Sequence, residues 1–214
     1  SDLAEQHVVE SGVPFDQLHH RADAGGQQAA EQPQQQAGGV PGENHLHGGP
    51  SGFHRRLWRA AVGENSLTFT RLSCDGEEGY PGNLLVSVRY TFDDECRLGI
   101  HYQALCDQDT VINLTNHSYF NLDGDAGSNA EHLLTINADY YTPVDSTFMT
   151  SGEIVPVEDT PMDFRSPVAV GTRINNFDFV QLKNGNGYDH NWVLKNHGKL
   201  EQIAQVEDDR SGIT

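Results

Sequence analysis

Alternating apolar and polar residues are most regular in the middle of the chain. In LLVSVRYTF every second residue is apolar, from Leu84 to Phe92. RLGIHYQAL repeats this pattern from Leu98 to Ala104, after the polar stretch Asp93-Asp94-Glu95. Because successive side chains of a strand point to opposite faces, each run predicts a strand with one apolar face. Two such runs joined by a short polar turn predict a β-hairpin.

Further strands are predicted on both sides of this hairpin. SLTFTRLS alternates before it, and turn-forming Gly, Asn and Asp separate the later segments. The other predicted strands are TVINLT (110–115), HLLTIN (132–137), EIVPVE (153–158), HNWVLK (190–195) and EQIAQVE (201–207). No segment has the amphipathic pattern of a helix of about ten or more residues. We therefore predict an all-β chain that folds as a large antiparallel β-sandwich.

The first part of the chain lacks this patterning. Residues 1–43 include AGGQQAAEQPQQQAGGVPG, which is nearly free of large apolar side chains. Such a stretch buries too little apolar surface to offset its chain entropy, so it is either poorly ordered or a long Gln-rich linker. We predict an irregular segment over residues 1–43 and a β-sandwich domain, truncated relative to a complete sandwich, over residues 44–214.

Charge and composition narrow the possible partners. The 214 residues include 31 acidic and 13 basic side chains, for a net charge of −18. Such a surface repels phosphate backbones and anionic lipids, so we expect neither a nucleic acid nor a membrane partner. The chain has no apolar run of about 18 residues and no secretory signal pattern at its start. Three cysteines, predicted as small core or near-core residues, do not form a disulfide framework, and we expect a cytoplasmic protein.

Candidate chemistry lies in polar clusters between the strands. Each cluster combines His, Asp or Asn with aromatic residues and glycines. The clusters are NHLHGGPSGFHRRLW (44–58), DGEEGYPGN (75–83), LTNHSYFNL (114–122) and NGYDHNW (186–192). A sugar packs its C–H faces on aromatic rings, and its hydroxyls need paired donors and acceptors. A single cluster of this kind is better explained as a turn of a β protein, but the presence of four favours a carbohydrate site.

Together with DYYTPVDSTFMTSGEIVPVEDTPMDFR (139–165), these clusters resemble the aldose 1-epimerase (mutarotase) family. The resemblance runs from about Asn44 to about Leu194 and continues more weakly to residue 214. It implies a large antiparallel β-sandwich, in agreement with the alternation described above. It also implies an isomerase that interconverts the α and β anomers of an aldohexose, glucose or galactose. Family members open the sugar ring by general acid–base catalysis, without a metal or organic cofactor.

The resemblance also implies individual residue roles. The histidine of TNHSYFNL, here His117, is the proton donor, a role that suits an imidazole with a pKa of about 6.5. His47 binds the sugar near the reacting oxygen, and Asp189 accepts hydrogen bonds from sugar hydroxyls. The other substrate-binding candidates flank the acid: Asn116, Ser118 and Tyr119.

Structural roles are the alternative for some of these residues. His117 could be a buried histidine hydrogen-bonded to a neighbouring asparagine, and Asp189 with His190 could form a structural turn pair. His45 and His47 would share one face of a strand, as zinc ligands do. No third ligand accompanies them, so we predict no metal site.

Two family features have no counterpart in this sequence. Residues 1–43 lack the family's Asn-Arg pair, and Arg21 lies in a different context. The family's general base is a glutamate on a later strand, whereas Glu201 and Glu207 lie on an earlier one. We therefore assign no base and expect little anomer interconversion by these residues alone.

Two further functions compete with the epimerase. A non-catalytic carbohydrate-binding module or sugar sensor of the same fold would bind hexose without turnover. A sugar phosphate as substrate would require clustered cations, which Arg55, Arg56 and Arg59 could supply, although such a run is more typical of a solvated strand edge. The sequence predicts no particular oligomeric state.

Overall fold

The computed structural model describes residues 47–124, 128–195, 198 and 200–214. The segment predicted to be irregular, residues 1–43, lies outside the described residues. Within the described residues, the chain divides into two compact units, residues 47–116 and residues 117–214.

The first unit is built on one four-stranded antiparallel sheet in the order β1-β2-β3-β4. Its strands are β1 (Arg59–Val62), β2 (Ser66–Ser73), β3 (Leu84–Phe92) and β4 (Leu98–Cys106). Short 3₁₀ turns occur at Phe53–Arg55 and Glu77–Gly79. The predicted β3–β4 hairpin is confirmed, with Leu84 opposite Cys106 and Phe92 opposite Leu98.

The hairpin turn is closed by an aspartate, as its polar sequence suggests. The carboxylate of Asp93 accepts hydrogen bonds from the backbone N–H groups of Glu95 (3.1 Å) and Arg97 (2.9 Å). Cys96 takes the left-handed conformation, with φ of 60°. Where the chain reverses, these side-chain hydrogen bonds take the place of the backbone hydrogen bonds between the strands.

The core of the first unit follows the alternation of β3. Leu84, Val86 and Val88 are buried, and the partly buried side chains around them come from β4 and the flanking loops. Towards the hairpin end the same face opens to solvent, and Phe92 is 56% exposed. The predicted apolar face is therefore buried along its first half only.

The prediction of a strand at TVINLT is wrong. Residues 110–115 have no strand pairing to any described residue. Ile112 and Leu114 nevertheless pack against the β3 core. Alternation correctly indicates which side chains turn inward, but a strand also needs a hydrogen-bonding neighbour, which alternation does not reveal.

The second unit contains two three-stranded antiparallel sheets, ordered β10-β5-β8 and β7-β6-β9. Their strands are β5 (Leu133–Ile136), β6 (Ala138–Thr142), β7 (Val155–Pro156), β8 (Val168–Ala169), β9 (Asn191–Leu194) and β10 (Ala204–Glu207). One α-helix, α1 (Val180–Gly185), and 3₁₀ turns at Asn129–Glu131 and Val170–Thr172 complete the described elements.

Three of the strands predicted here are confirmed in shortened form as β5, β9 and β10. The strand predicted at EIVPVE shrinks to two residues that pair with Tyr140 and Tyr141. Pro156 has no N–H to donate, which limits a ladder at this position. Strand β6 was not predicted, because ADYYT has no alternation.

Two core clusters fill the second unit and share aromatic side chains. One contains Tyr141, Val157, Met162 and Leu182, and the other contains Ile136, Ala138 and Phe164. Tyr188 and Trp192 pack against both clusters. The segment between these two aromatics is therefore held at each end by the core.

The three cysteines are free thiols, but only one lies near a core. Cys106 packs beside the β3 cluster, as predicted. Cys74 and Cys96 are exposed, so their prediction as core residues is wrong. Both lie in turns at strand ends, where a small side chain does not have to be buried.

Candidate functional site

The loop that carries His47 has an unusual backbone. His47, Gly48 and Gly49 have consecutive positive φ angles of 52°, 82° and 95°. A Cβ on Gly52, which is buried, would collide with the carbonyl oxygen of His47. The glycines are therefore required for the chain to fold back under the exposed His47 side chain.

Three ion pairs between two arginines and two glutamates hold this loop. Arg56 donates to the carbonyl oxygen of Ser51 (2.8 Å) and pairs with Glu77 and Glu78, each at 2.9 Å. Arg71 pairs with Glu77 at 2.6 Å. Burial opposes ionisation of Glu77, but the hydrogen bond from Arg71 and the charges of Arg71 and Arg56 outweigh it and lower the pKa of that carboxyl.

This arrangement explains the charged residues in two of the predicted clusters. Arg56 is not part of a solvated strand edge, since its guanidinium is engaged by two carboxylates. The acidic pair of DGEEG is thus matched within the first unit by Arg56 of FHRR and by Arg71. The opposite charges of the two clusters were the sequence feature that could have predicted this contact. Because the contact occupies the Arg56 guanidinium, it weakens the hypothesis of a phosphate-binding cluster here.

The remainder of DGEEGYPGN forms a turn that is closed by side-chain hydrogen bonds. The carboxylate of Asp75 accepts from the N–H of Gly82 (2.7 Å), and Asp107 accepts from both the backbone and the side chain of Asn83 (2.8 and 2.7 Å). Gly82 has φ of 90°, and a Cβ there would collide with the sulfur of Cys106. The predicted turn-shaping role of this glycine agrees with the geometry.

The TNHSYFNL segment is irregular, and the side chain of Asn116 is fixed by a tyrosine. Asn116 donates to the hydroxyl of Tyr90 at 3.0 Å. Burial raises the pKa of Tyr90, although the bond from Asn116 acts against that shift. The Asn116 amide is thus bonded to Tyr90 within the first unit.

His117 itself is half-buried, and Tyr119 lies beside it. The two rings are 5.4 Å apart at their centroids, with planes inclined at 49°. Ser118 is exposed and Tyr119 is 79% exposed. An imidazole that solvent can partly reach is suited to exchanging protons with a bound molecule.

Two contacts anchor the end of this segment in the second unit. The N–H of Leu122 donates to Nε2 of His132 at 2.9 Å, and Arg210 pairs with Asp123 at 2.7 Å. His132 is buried. The chain that follows His117 is therefore tied to the start of β5 and to the turn after β10.

The GYDHNW segment alternates between core and solvent. Tyr188, His190 and Trp192 turn inward, whereas Asp189 and Asn191 are exposed. Tyr188 donates to the carbonyl oxygen of Pro161 and Trp192 to that of Met162, each at 3.0 Å. The aromatic residues of this cluster thus serve the core, and they hold the Asp189 carboxylate on the solvent side.

His190 is the buried histidine of this segment. Its side chain is 3% exposed, and burial lowers its pKa to about 4. Its Nδ1 accepts the N–H of Asp189 at 3.2 Å, and its Nε2 lies 3.1 Å from Oε1 of Gln181. The predicted turn pair between Asp189 and His190 therefore exists through the backbone of Asp189.

The structure thus brings together His117 with Tyr119, and Asp189 with His190. Asn116 is bonded to Tyr90, while His47 and Ser118 stand exposed on their loops. The sequence did not identify Gln181 as part of this arrangement, since it lies nine positions from His190 in a helix too short to predict.

A charged cleft of about 740 Å³ lies elsewhere in the second unit. The described residues that line it include Asp139, Arg165, Arg173 and Lys195, and none of the predicted site residues. Lys195 pairs with Asp139 at 2.9 Å, and Arg165 pairs with Asp163 at 2.7 Å. Lys195 and Arg165 are therefore already matched by carboxylates, whereas Arg173 donates to the backbone carbonyl oxygen of Asp163 at 2.7 Å.

The described residues form neither a metal site nor a membrane span. In the part of the chain that the structure describes, no three His, Cys, Asp or Glu side chains converge as metal ligands. His45, one of the two histidines considered as zinc ligands, lies outside it. No helix among the described residues is long and apolar enough to span a membrane.

Comparison with known proteins gives consistent matches. The family model described as aldose 1-epimerase matches residues 24–214. Human galactose mutarotase is 46% identical over 170 residues, which cover 79% of this chain and 48% of that protein. Aldose 1-epimerase of Escherichia coli is 38% identical over 165 residues, covering 76% and 47%. The chain spans about half the length of the curated relatives it matches.

Solved structures give the same result. A galactose 1-epimerase from Lactobacillus acidophilus superposes with a TM-score of 0.68 at 34% identity, covering 78% of this chain and 49% of that one. An aldose epimerase homologue from C. elegans has a TM-score of 0.65 at 32% identity, covering 78% and 50%. With the antiparallel sheets described above, these similarities confirm the predicted all-β sandwich class.

Proposed function

This chain belongs to the aldose 1-epimerase family, and from that premise we propose that the protein interconverts the α and β anomers of an aldohexose. The observation that carries the proposal is the family match over residues 24–214, which includes the motifs of His47, His117 and Asp189. Relatives named galactose mutarotase support a hexose such as galactose as the substrate. The reaction class is an isomerisation.

His117 is the proton donor in this proposal. As His117 protonates the ring oxygen, a base removes the proton of the anomeric hydroxyl, the bond from the anomeric carbon to the ring oxygen breaks, and an aldehyde forms. Rotation of the aldehyde lets the ring oxygen attack the other face. On closure, His117 takes its proton back from the attacking hydroxyl, and the base returns its proton to the new anomeric oxygen. The cycle is therefore balanced and needs no external redox partner.

The other predicted residues bind the sugar. Asp189, which is exposed, accepts hydrogen bonds from sugar hydroxyls, and His47 binds the sugar near the reacting oxygen. Asn116, Ser118 and Tyr119 flank the proton donor. Neither Glu201 nor Glu207 is assigned as the general base.

The organisation and location of the protein are part of the same proposal. Residues 44–214 belong to a mutarotase-like β-sandwich domain. A cytoplasmic enzyme with a small-molecule aldohexose as its partner is consistent with free cysteines and a net charge of −18.

Polarimetry tests the function. Freshly dissolved α-D-galactose and α-D-glucose are added to the protein that carries this sequence, and the decay of optical rotation is compared with the uncatalysed rate. Residues 1–214 alone should accelerate the decay little, because no general base is assigned among them. In a protein that also supplies the base, we expect acceleration and a loss of about 100- to 10,000-fold on His117→Asn, because a positioned proton donor contributes about that factor.

A matched control comes from another histidine. His101 is exposed on β4, outside every predicted motif, and His101→Asn should leave the rate unchanged. Equal rates for wild type and His117→Asn would contradict the assigned role. Saturable hexose binding without any acceleration would instead favour the non-catalytic carbohydrate-binding module.

A further inference from the structure

We propose that His190 and Gln181 are positioning residues that fix the main chain of Asp189 for hydroxyl recognition. The inference rests on the proposed function, because it takes Asp189 as a sugar ligand. Neither residue reaches the surface, since His190 is 3% exposed and Gln181 is 8% exposed. They act through Asp189 and do not touch the sugar.

A continuous set of hydrogen bonds carries the inference. The N–H of Asp189 donates to Nδ1 of His190 (3.2 Å), so Nδ1 is the unprotonated nitrogen of a neutral ring. The proton is then on Nε2, which donates to Oε1 of Gln181 at 3.1 Å. The tautomer that holds Asp189 is therefore selected by the residue on the far side of the imidazole.

Gln181 is itself fixed in orientation. Its Oε1 also accepts the N–H of Val144 at 2.8 Å. Asn184, one turn along α1, donates to the carbonyl oxygen of Val144 at 2.9 Å. A flipped Gln181 amide would place its NH₂ against the Val144 N–H, so the acceptor must face His190.

The space around the ring leaves little freedom. Tyr141 meets His190 edge-on, with 5.9 Å between centroids and 81° between planes. A Cβ on Gly185 would lie 3.0 Å from Cε1 of His190. Burial also keeps the imidazole neutral, because its pKa is lowered to about 4, so Nδ1 stays available as an acceptor.

The consequence for binding is an ordered carboxylate. Asp189 lies on the solvent side between inward-facing Tyr188 and His190. Because the N–H of Asp189 is fixed, the Cα–Cβ bond of Asp189 points in one direction. The residue therefore loses less conformational entropy when a sugar binds. A loosened backbone should weaken ground-state binding more than it slows the chemical step.

Two substitutions of His190 separate positioning from packing. In His190→Asn the amide oxygen takes the place of Nδ1 and still accepts from Asp189. In His190→Gln the longer side chain fills more of the space and reaches Gln181, but has no acceptor at the Nδ1 position. We expect His190→Asn to keep the KM for D-galactose within about threefold, and His190→Gln to raise KM about tenfold with kcat within about twofold.

A packing role predicts the reverse order, because Gln replaces more of the imidazole volume than Asn. Equal KM values for the two variants, or a lower KM for His190→Gln, would overturn the inference. The Kd for D-galactose from an NMR titration should follow the same order as KM, and it does not depend on turnover. Thermal unfolding followed by circular dichroism identifies any variant that fails to fold.

Gln181→Met provides the second variant, since it conserves volume and removes the acceptor. It should raise KM and Kd in the same direction as His190→Gln. An unchanged Kd in a folded Gln181→Met protein would overturn the role of Gln181.

The Asp189→Asn background separates this inference from the proposed function. If His190 acts through Asp189, the effect of His190→Gln on Kd should fall from about tenfold to less than twofold in that background. A full tenfold effect there would overturn the inference. If Asp189→Asn alone leaves Kd unchanged, the assignment of Asp189 as a sugar ligand fails, and the inference fails with it.

Discussion

At the scale of residues, sequence motifs and structure identify different residues. His117 and Asp189 could be proposed as site residues from their motifs, because each lies within a recognisable polar cluster. Gln181 could not, because its link to His190 spans nine positions and depends on a helix of six residues. Whether a histidine is buried depends on the residues that pack over it, and a local sequence pattern does not reveal those residues.

The buried imidazole makes stability depend on pH. His190 has a folded pKa of about 4 against an ordinary value of 6.5, so the unfolded chain binds its proton more readily. Its contribution is fully present above about pH 6.5 and is lost as pH falls towards 4. We expect a loss of up to about 3 kcal/mol from this group, measured by urea unfolding at pH 7 and at pH 4.5.

His190→Asn is the control for this prediction, since it keeps a neutral side chain at both pH values. Acidic groups titrate in both proteins, so the difference between their pH slopes isolates His190. Identical slopes for the wild type and His190→Asn would show that this imidazole does not carry the pH dependence.

At the scale of elements, alternation predicted where strands could form. The presence of a hydrogen-bonded neighbour determined which of these segments became strands. The β3–β4 hairpin was predictable because both partners are adjacent in sequence and share one turn. TVINLT has the same alternation and no paired strand among the described residues. Strand β6 is central in its sheet although its sequence does not alternate. Its pairing with β7 and β9 could not be predicted from the residues next to it in sequence.

The loop that carries His47 depends on charge pairs that alternation does not reveal. Glu77 pairs with Arg56 and Arg71, so we expect Glu77→Gln to lower the free energy of unfolding by about 1–3 kcal/mol. Because the folded pKa of Glu77 is lowered, this contribution is present above about pH 4.5 and is lost as the pH falls below it.

Chemical denaturation of both proteins at pH 7 and at pH 3 checks this. The matched control is Glu95→Gln, which removes an exposed carboxylate paired with Arg97 in the hairpin turn. That variant should change the unfolding free energy by less than about 1 kcal/mol. A Glu77→Gln protein as stable as the wild type at pH 7 would contradict a supporting role for the pairs.

At the scale of the whole molecule, fold class was predictable because it depends on the repetition of a simple pattern. An all-β chain requires many alternating segments separated by turns, and a few wrong strands do not change that conclusion. The pairing of β5 with β8 and β10 could not be predicted, since residues far apart in sequence meet there. Net charge of −18 argues against nucleic acid partners without specifying the substrate.

The proposed function requires His117 and Asp189 to contact the same sugar, which an NMR titration with D-galactose can reveal. The imidazole Cε1–H resonance of His117, assigned by its absence in His117→Asn, is followed together with the backbone amide of Asp189. We expect both to shift saturably with one common Kd, while the His101 resonance stays in place. Shifts confined to other residues, or different Kd values for the two groups, would contradict the account.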